Sequence, residues 1–130
     1  MGTVNVSRSF PASPGAIPLL RHVTTAFAEV HCGDDRQLID DIALAVTEAG
    51  GNVVRHAYER PAIGHIDLTA CVRGDELIIE VSDSGVGIDA GGVDSGLGLG
   101  LPLIRQLADL TVLSNPDGGT CLRMAFPCPT

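Results

Sequence analysis

Glu48, Asn52 and His56 are spaced four residues apart within the run 44–58, Leu-Ala-Val-Thr-Glu-Ala-Gly-Gly-Asn-Val-Val-Arg-His-Ala-Tyr. A helix turns about 100° per residue, so side chains four apart step round its surface by only about 40°. One ridge then carries a carboxylate, a carboxamide and an imidazole: a base, a neutral oxygen ligand for a hard cation, and a ring that reaches phosphate. Further along stands Asp83-Ser-Gly85-Val-Gly87. A carboxylate only accepts hydrogen bonds, so beside two glycines that admit a ligand close to the backbone it suits a ring with an exocyclic amine, such as adenine. Gly96-Leu-Gly98-Leu-Gly100-Leu101-Pro102 then opens a helical pattern through Leu103, Ile104 and Leu107. Glycines entering a helix leave backbone N–H groups for phosphate oxygens, and the helix dipole favours the anion there. Pro102 fits the first turn, where no intrahelical donor is lost.

These residues need a framework. Ile39, Ile42, Val46, Ala49, Val53 and Ala57 predict a buried stripe opposite the polar ridge. Before it, Val4, Val6 and Phe10 alternate as a strand. Ser13 is the expected N-cap of a first helix, with Pro14 just inside and Leu20, Val23, Phe27 and Val30 as its apolar stripe to Gly33. Asp34 or Asp35 caps the second. Ile66, Leu68, Ala70 and Val72 form one strand, Leu77, Ile79 and Val81 another, and Gly74-Asp75 joins them as a hairpin. Residues 88–98 are rich in glycine and aspartate without periodicity and read as a loop. Two further strands, 110–114 and 120–126, pair across residues 115–119. The order β-α-α-β-β-α-β-β predicts a two-layer α/β sandwich, with three helices on one face of a mainly antiparallel mixed sheet and residues 1–130 as a single domain.

Composition removes several alternatives. The net charge is −8, and all 8 basic residues are arginines, scattered without a basic run or aromatic platform, which argues against nucleic-acid binding. Lysine is absent, which excludes a Walker-type phosphate loop and Schiff-base chemistry. No strand runs directly into the glycines at 96–100, so a dinucleotide fingerprint is set aside. Cys32, Cys71, Cys121 and Cys128 have no C-x-x-C spacing, the histidines give no zinc pattern beside them, and the four read as buried, reduced thiols. With no signal-peptide pattern and no apolar run of membrane-spanning length, the chain reads as cytoplasmic.

Glu48-x-x-x-Asn52-x-x-x-His56, Asp83-x-Gly85-x-Gly87 and Gly96-x-Gly98-x-Gly100-Leu101-Pro102 stand in the order found in GHKL (Bergerat-fold) ATPases, and from about Val4 to Phe126 the chain resembles that superfamily. His-Ala-Tyr after Asn52, Leu-Pro-Leu-Ile-Arg-x-Leu-Ala-Asp at 101–109 and Gly118-Gly119-Thr120 make it similar to the anti-sigma-factor serine/threonine kinases of bacterial partner switching. The resemblance implies ATP and Mg2+ as ligands. Glu48 would be the general base, Asn52 the Mg2+ ligand, His56 and the glycine loop with Leu101 phosphate contacts, and Asp83 the adenine anchor. Thr120 would lie near adenine through a water, and Arg21 would touch a protein partner. The implied partners are an alternative sigma factor, held inactive, and a small anti-sigma antagonist, phosphorylated on serine or threonine; a homodimer through the sheet face away from the nucleotide is also implied.

Two other readings use the same residues: a non-catalytic module with ATP as a structural ligand, and a detached histidine-kinase catalytic domain. The chain departs from the family pattern at Gly50 and Gly51, mid-helix, where each costs about 1 kcal/mol of helix stability relative to alanine. Leu97 stands where many relatives carry arginine, and the stretch from Gly87 to Gly96 is short. Both bear on γ-phosphate retention and turnover rather than on binding.

Overall fold

A computed structural model describes residues 4–59, 64–83, 101–114 and 119–129, the side chains of 56–59 and 114 excepted. Its elements run β1 (Val4–Pro11), α1 (Ala16–Cys32), α2 (Arg36–Glu59), β2 (His65–Arg73), β3 (Glu76–Asp83), α3 (Leu101–Leu107), β4 (Asp109–Ser114) and β5 (Thr120–Pro127). The strands form one five-stranded sheet in the order β1-β2-β3-β5-β4. All four pairings are antiparallel, so a parallel component is absent from the described residues.

Alternation along the strands sorts the two faces. In β3, Leu77, Ile79, Val81 and Asp83 point inward and are buried. Ile66, Leu68 and Ala70 of β2 and Leu122, Met124 and Phe126 of β5 continue that face, and α1 and α2 cover it. A side chain such as Phe126 or Ile42 contributes about 1.5–3 kcal/mol by leaving water. The other face carries Thr69, Glu80 and Arg123, with an Arg123 Nε–Glu80 ion pair of 2.6 Å.

The helix boundaries follow local chemistry, with one departure. Asp35 caps α2, its Oδ1 accepting from the N–H groups of Gln37 (3.0 Å) and Leu38 (3.3 Å). Ser13 does not cap α1: its carbonyl accepts from Ala16 N–H at 2.9 Å, and the helix starts two residues later than expected, behind Gly15. The chain spends Ser13 on a turn after β1 instead, its N–H bonding Pro11 O at 2.8 Å. Gly74 takes φ 63° in the β2–β3 hairpin, a value that favours glycine. Gly50 and Gly51 have different jobs. A Cβ on Gly50 would stand 2.7 Å from Leu20 Cδ1, so this glycine allows α1 and α2 to approach; one on Gly51 would meet nothing closer than Arg55 Nη1 at 3.7 Å.

The reduced-thiol expectation fails for half of the cysteines. Cys32, the last residue of α1, forms a disulfide with Cys128, just after β5, across 96 residues of chain. Cys71 and Cys121 remain free. Spacing in sequence says nothing about two element ends that meet only once the sheet has folded. Among the described residues no helix is long and apolar enough to cross a membrane.

Candidate functional site

Four polar side chains are buried among the described residues: Thr24, Asn52, Asp83 and Thr120. Burying a polar group costs free energy unless it is satisfied, so each needs a reason. Thr24 has a local one. Its hydroxyl donates to Leu20 O at 2.9 Å, within its own helix. The other three are the residues singled out above for metal and adenine.

Asn52 lies on α2 about 60° round from Ala49 and 100° from Val53. It is fully buried, so at Glu48 and Asn52 the polar ridge does not stand opposite the apolar stripe as expected; it borders it. Ile39, Ile42, Val46, Ala49 and Val53 are buried as predicted. The Asn52 Oδ1 accepts a hydrogen bond from the Arg55 guanidinium, and Nδ2 has no partner among the described residues. Glu48, one turn earlier, is half-buried and has no hydrogen-bond or ion-pair partner among them. His56 lies in the last turns of α2, with its side chain outside the described residues.

The sheet supplies the second half. Asp83 ends β3 on the inward face, and Thr120 opens β5 on the same face. The β3–β5 register brings Ser82 opposite Cys121, so the next inward positions are neighbours, and the Thr120 N–H points at Asp83 Oδ2 at 3.4 Å. Thr120 therefore orients the carboxylate through its backbone, a role its type does not reveal. Leu101 begins α3, half-buried against the core. Gly85, Gly87, Gly96, Gly98 and Gly100 lie outside the described residues.

Arg21 is half-buried on α1, and its Nη1 donates to Thr47 Oγ1 at 3.1 Å across the helix pair. Thr47, next to Glu48, in turn donates to Ala43 O at 2.7 Å. Arg21 thus ties the first helix to the turn of α2 that carries the candidate base. Neither Thr47 nor Arg55 stood out in the sequence; i, i+3 spacing from Asn52 was the available signal for Arg55.

On the far side of the sheet, burial pushes the Cys121 thiol up to about 11; nearby Glu80 adds to this and Arg123 opposes it. That cysteine is inert at neutral pH.

The donor set can be tested for a divalent cation on one observation: a guanidinium already rests on Asn52 Oδ1. This oxygen, on a neutral amide, accommodates positive charge, which is what a hard cation requires. No group of three or more His, Cys, Asp or Glu side chains gathers among the described residues. Among the described residues the fit is to a cation that takes one ligand from this amide.

Known proteins resemble the chain over most of its length. Residues 10–126 match the model of the histidine kinase-like ATPase domain. The chain is 29% identical over 136 residues to the serine-protein kinase RsbW of Bacillus cereus (strain AH187), covering 93% of this chain and 84% of that one. It is 30% identical over 128 residues to RsbW of Listeria monocytogenes serovar 1/2a, covering 87% and 81%. To the anti-sigma F factor of Thermoanaerobacter sp. (strain X514) it is 33% identical over 118 residues, 80% of each.

Proposed function

The chain belongs to the histidine kinase-like ATPase domain family, and from that premise we propose that it is a serine/threonine protein kinase and anti-sigma factor. In this reading residues 1–130 act as one kinase domain in the cytoplasm. It binds ATP with Mg2+, holds an alternative sigma factor inactive, and phosphorylates a small anti-sigma antagonist. One observation carries the reading: of the four buried polar side chains among the described residues, Thr24 is bonded to the backbone of its own helix, and the other three are Asn52, Asp83 and Thr120.

Each residue has a task that its surroundings support. Asp83, held by the Thr120 N–H, accepts from the adenine amino group. Asn52 offers its amide oxygen to Mg2+, which when bound supplies charge neutralisation across the phosphates. Glu48 keeps its carboxylate lone pairs for the proton of the antagonist's serine or threonine hydroxyl. His56, Leu101 and the loop of Gly96, Gly98 and Gly100 are proposed to contact phosphate, with Gly85 and Gly87 letting adenine lie against the backbone. Arg21, fixed by Thr47, presents the α1–α2 face to a partner protein. The open sheet face is proposed to pair two copies of the chain.

Charge gives the switch its direction. A phosphate adds about −1.5 to −2 to the antagonist. Against a kinase of net charge −8 this weakens the complex and frees the kinase to hold sigma. The test is calorimetric ATP binding with and without Mg2+, followed by transfer of labelled γ-phosphate to the antagonist recovered with the protein. Binding without transfer would leave only the ligand-dependent sequestering module. GTP competing as well as ATP would reject Asp83 as the adenine anchor.

A further inference from the structure

Arg55 has no part in the chemistry above, yet it makes the one hydrogen bond to the proposed metal ligand among the described residues. Its side chain is exposed, whereas Asn52 is fully buried. The guanidinium reaches back along α2 over Gly51, with Nη1 3.7 Å from where a Cβ on that residue would sit, and Nη2 donates to Asn52 Oδ1. Guanidinium is permanently charged and only donates. It therefore brings to the amide oxygen what a divalent cation would bring, positive charge. Two cations on one amide oxygen repel, so occupation by one disfavours the other.

We propose that Arg55 is a positioning residue that stands in for the metal: in the metal-free protein it occupies Asn52 Oδ1 and keeps the buried amide oriented, and it leaves as Mg2+ loads. This rests on the nucleotide- and metal-binding reading above. The Mg2+ concentration at which the site fills is then set partly by the contact that has to break.

The experiment uses the full chain and a fluorescent, non-hydrolysable ATP analogue at fixed concentration, with Mg2+ titrated. Arg55→Ala lowers the half-loading Mg2+ concentration by roughly three- to tenfold, the range for releasing one exposed charge-assisted hydrogen bond. It leaves analogue binding without Mg2+ unchanged. In the metal-free protein the Asn52 side-chain amide signals, followed by 15N NMR, shift in Arg55→Ala and move less in Arg55→Lys. An unchanged or higher Mg2+ requirement overturns the inference, as does an equal loss of metal-free analogue binding, which would make Arg55 a nucleotide contact. A wild type that loads no analogue at any Mg2+ concentration overturns the functional reading together with this inference; loading that is indifferent to Arg55 overturns the inference alone.

Discussion

The two ends of the candidate site are built differently. At the sheet end, Asp83 and Thr120 belong to adjacent central strands, and their contact follows from a register shared by eight-residue strands. Moving either residue would mean slipping β3 against β5, which would turn every inward side chain outward. At the helix end, Asn52 is held by an exposed arginine three residues on in the same helix. An exposed side chain re-orients without disturbing the core. One end is thus set before any ligand arrives and the other has to be rearranged, so the two should respond differently to metal and to mutation.

The largest expected effect lies at the helix end and in rate alone. Glu48→Ala lowers single-turnover phosphoryl transfer by about 10²–10⁴-fold while ATP affinity stays near wild type, and undiminished transfer would assign the base elsewhere. Next comes the contrast in binding. Asp83→Asn weakens ATP by about 1–3 kcal/mol whether or not Mg2+ is present. Asn52→Ala removes only the Mg2+-dependent part of the affinity, so equal metal dependence in the two variants would erase the distinction between the ends. Smaller still is the helix itself. Gly51→Ala raises thermal stability by about 0.5–1 kcal/mol, since its Cβ meets only an ordinary contact. Gly50→Ala gains less or loses, because its Cβ would press on buried Leu20, and equal gains would mean α1 yields freely. The smallest signal reports on the sheet end. Cys121 follows Thr120 but faces the other way, and its thiol is pushed up to about 11 mainly by burial. Burial disfavours the thiolate, so alkylation is slow at neutral pH and rises by about tenfold per pH unit towards 11. ATP should not change that rate; protection by ATP would mean the sheet shifts on binding.

Much of this was legible because it is local. Asp35 as a cap, Gly74 in the hairpin and the inward alternation of β3 depend on residues within a few positions of one another, and each was found where expected. The motif residues were legible through types whose burial is costly: an asparagine and an aspartate amid apolar runs ask for a reason. What escaped was long-range or competitive. Ser13 had the chemistry of a cap, but the turn out of β1 claimed it. The insertion of β5 between β3 and β4 has no signature in either strand. The Arg21–Thr47 contact depends on α1 and α2 packing closely, a property of the pair. The disulfide belongs to the same class.

That bond turns the stretch between Cys32 and Cys128 into a covalent ring. Every candidate residue except Arg21 lies on it. A single backbone scission anywhere from Gly33 to Pro127 therefore leaves one molecule, whose fragments part only in the presence of a thiol. Limited proteolysis would run as an intact band on a non-reducing gel and as two pieces on a reducing one.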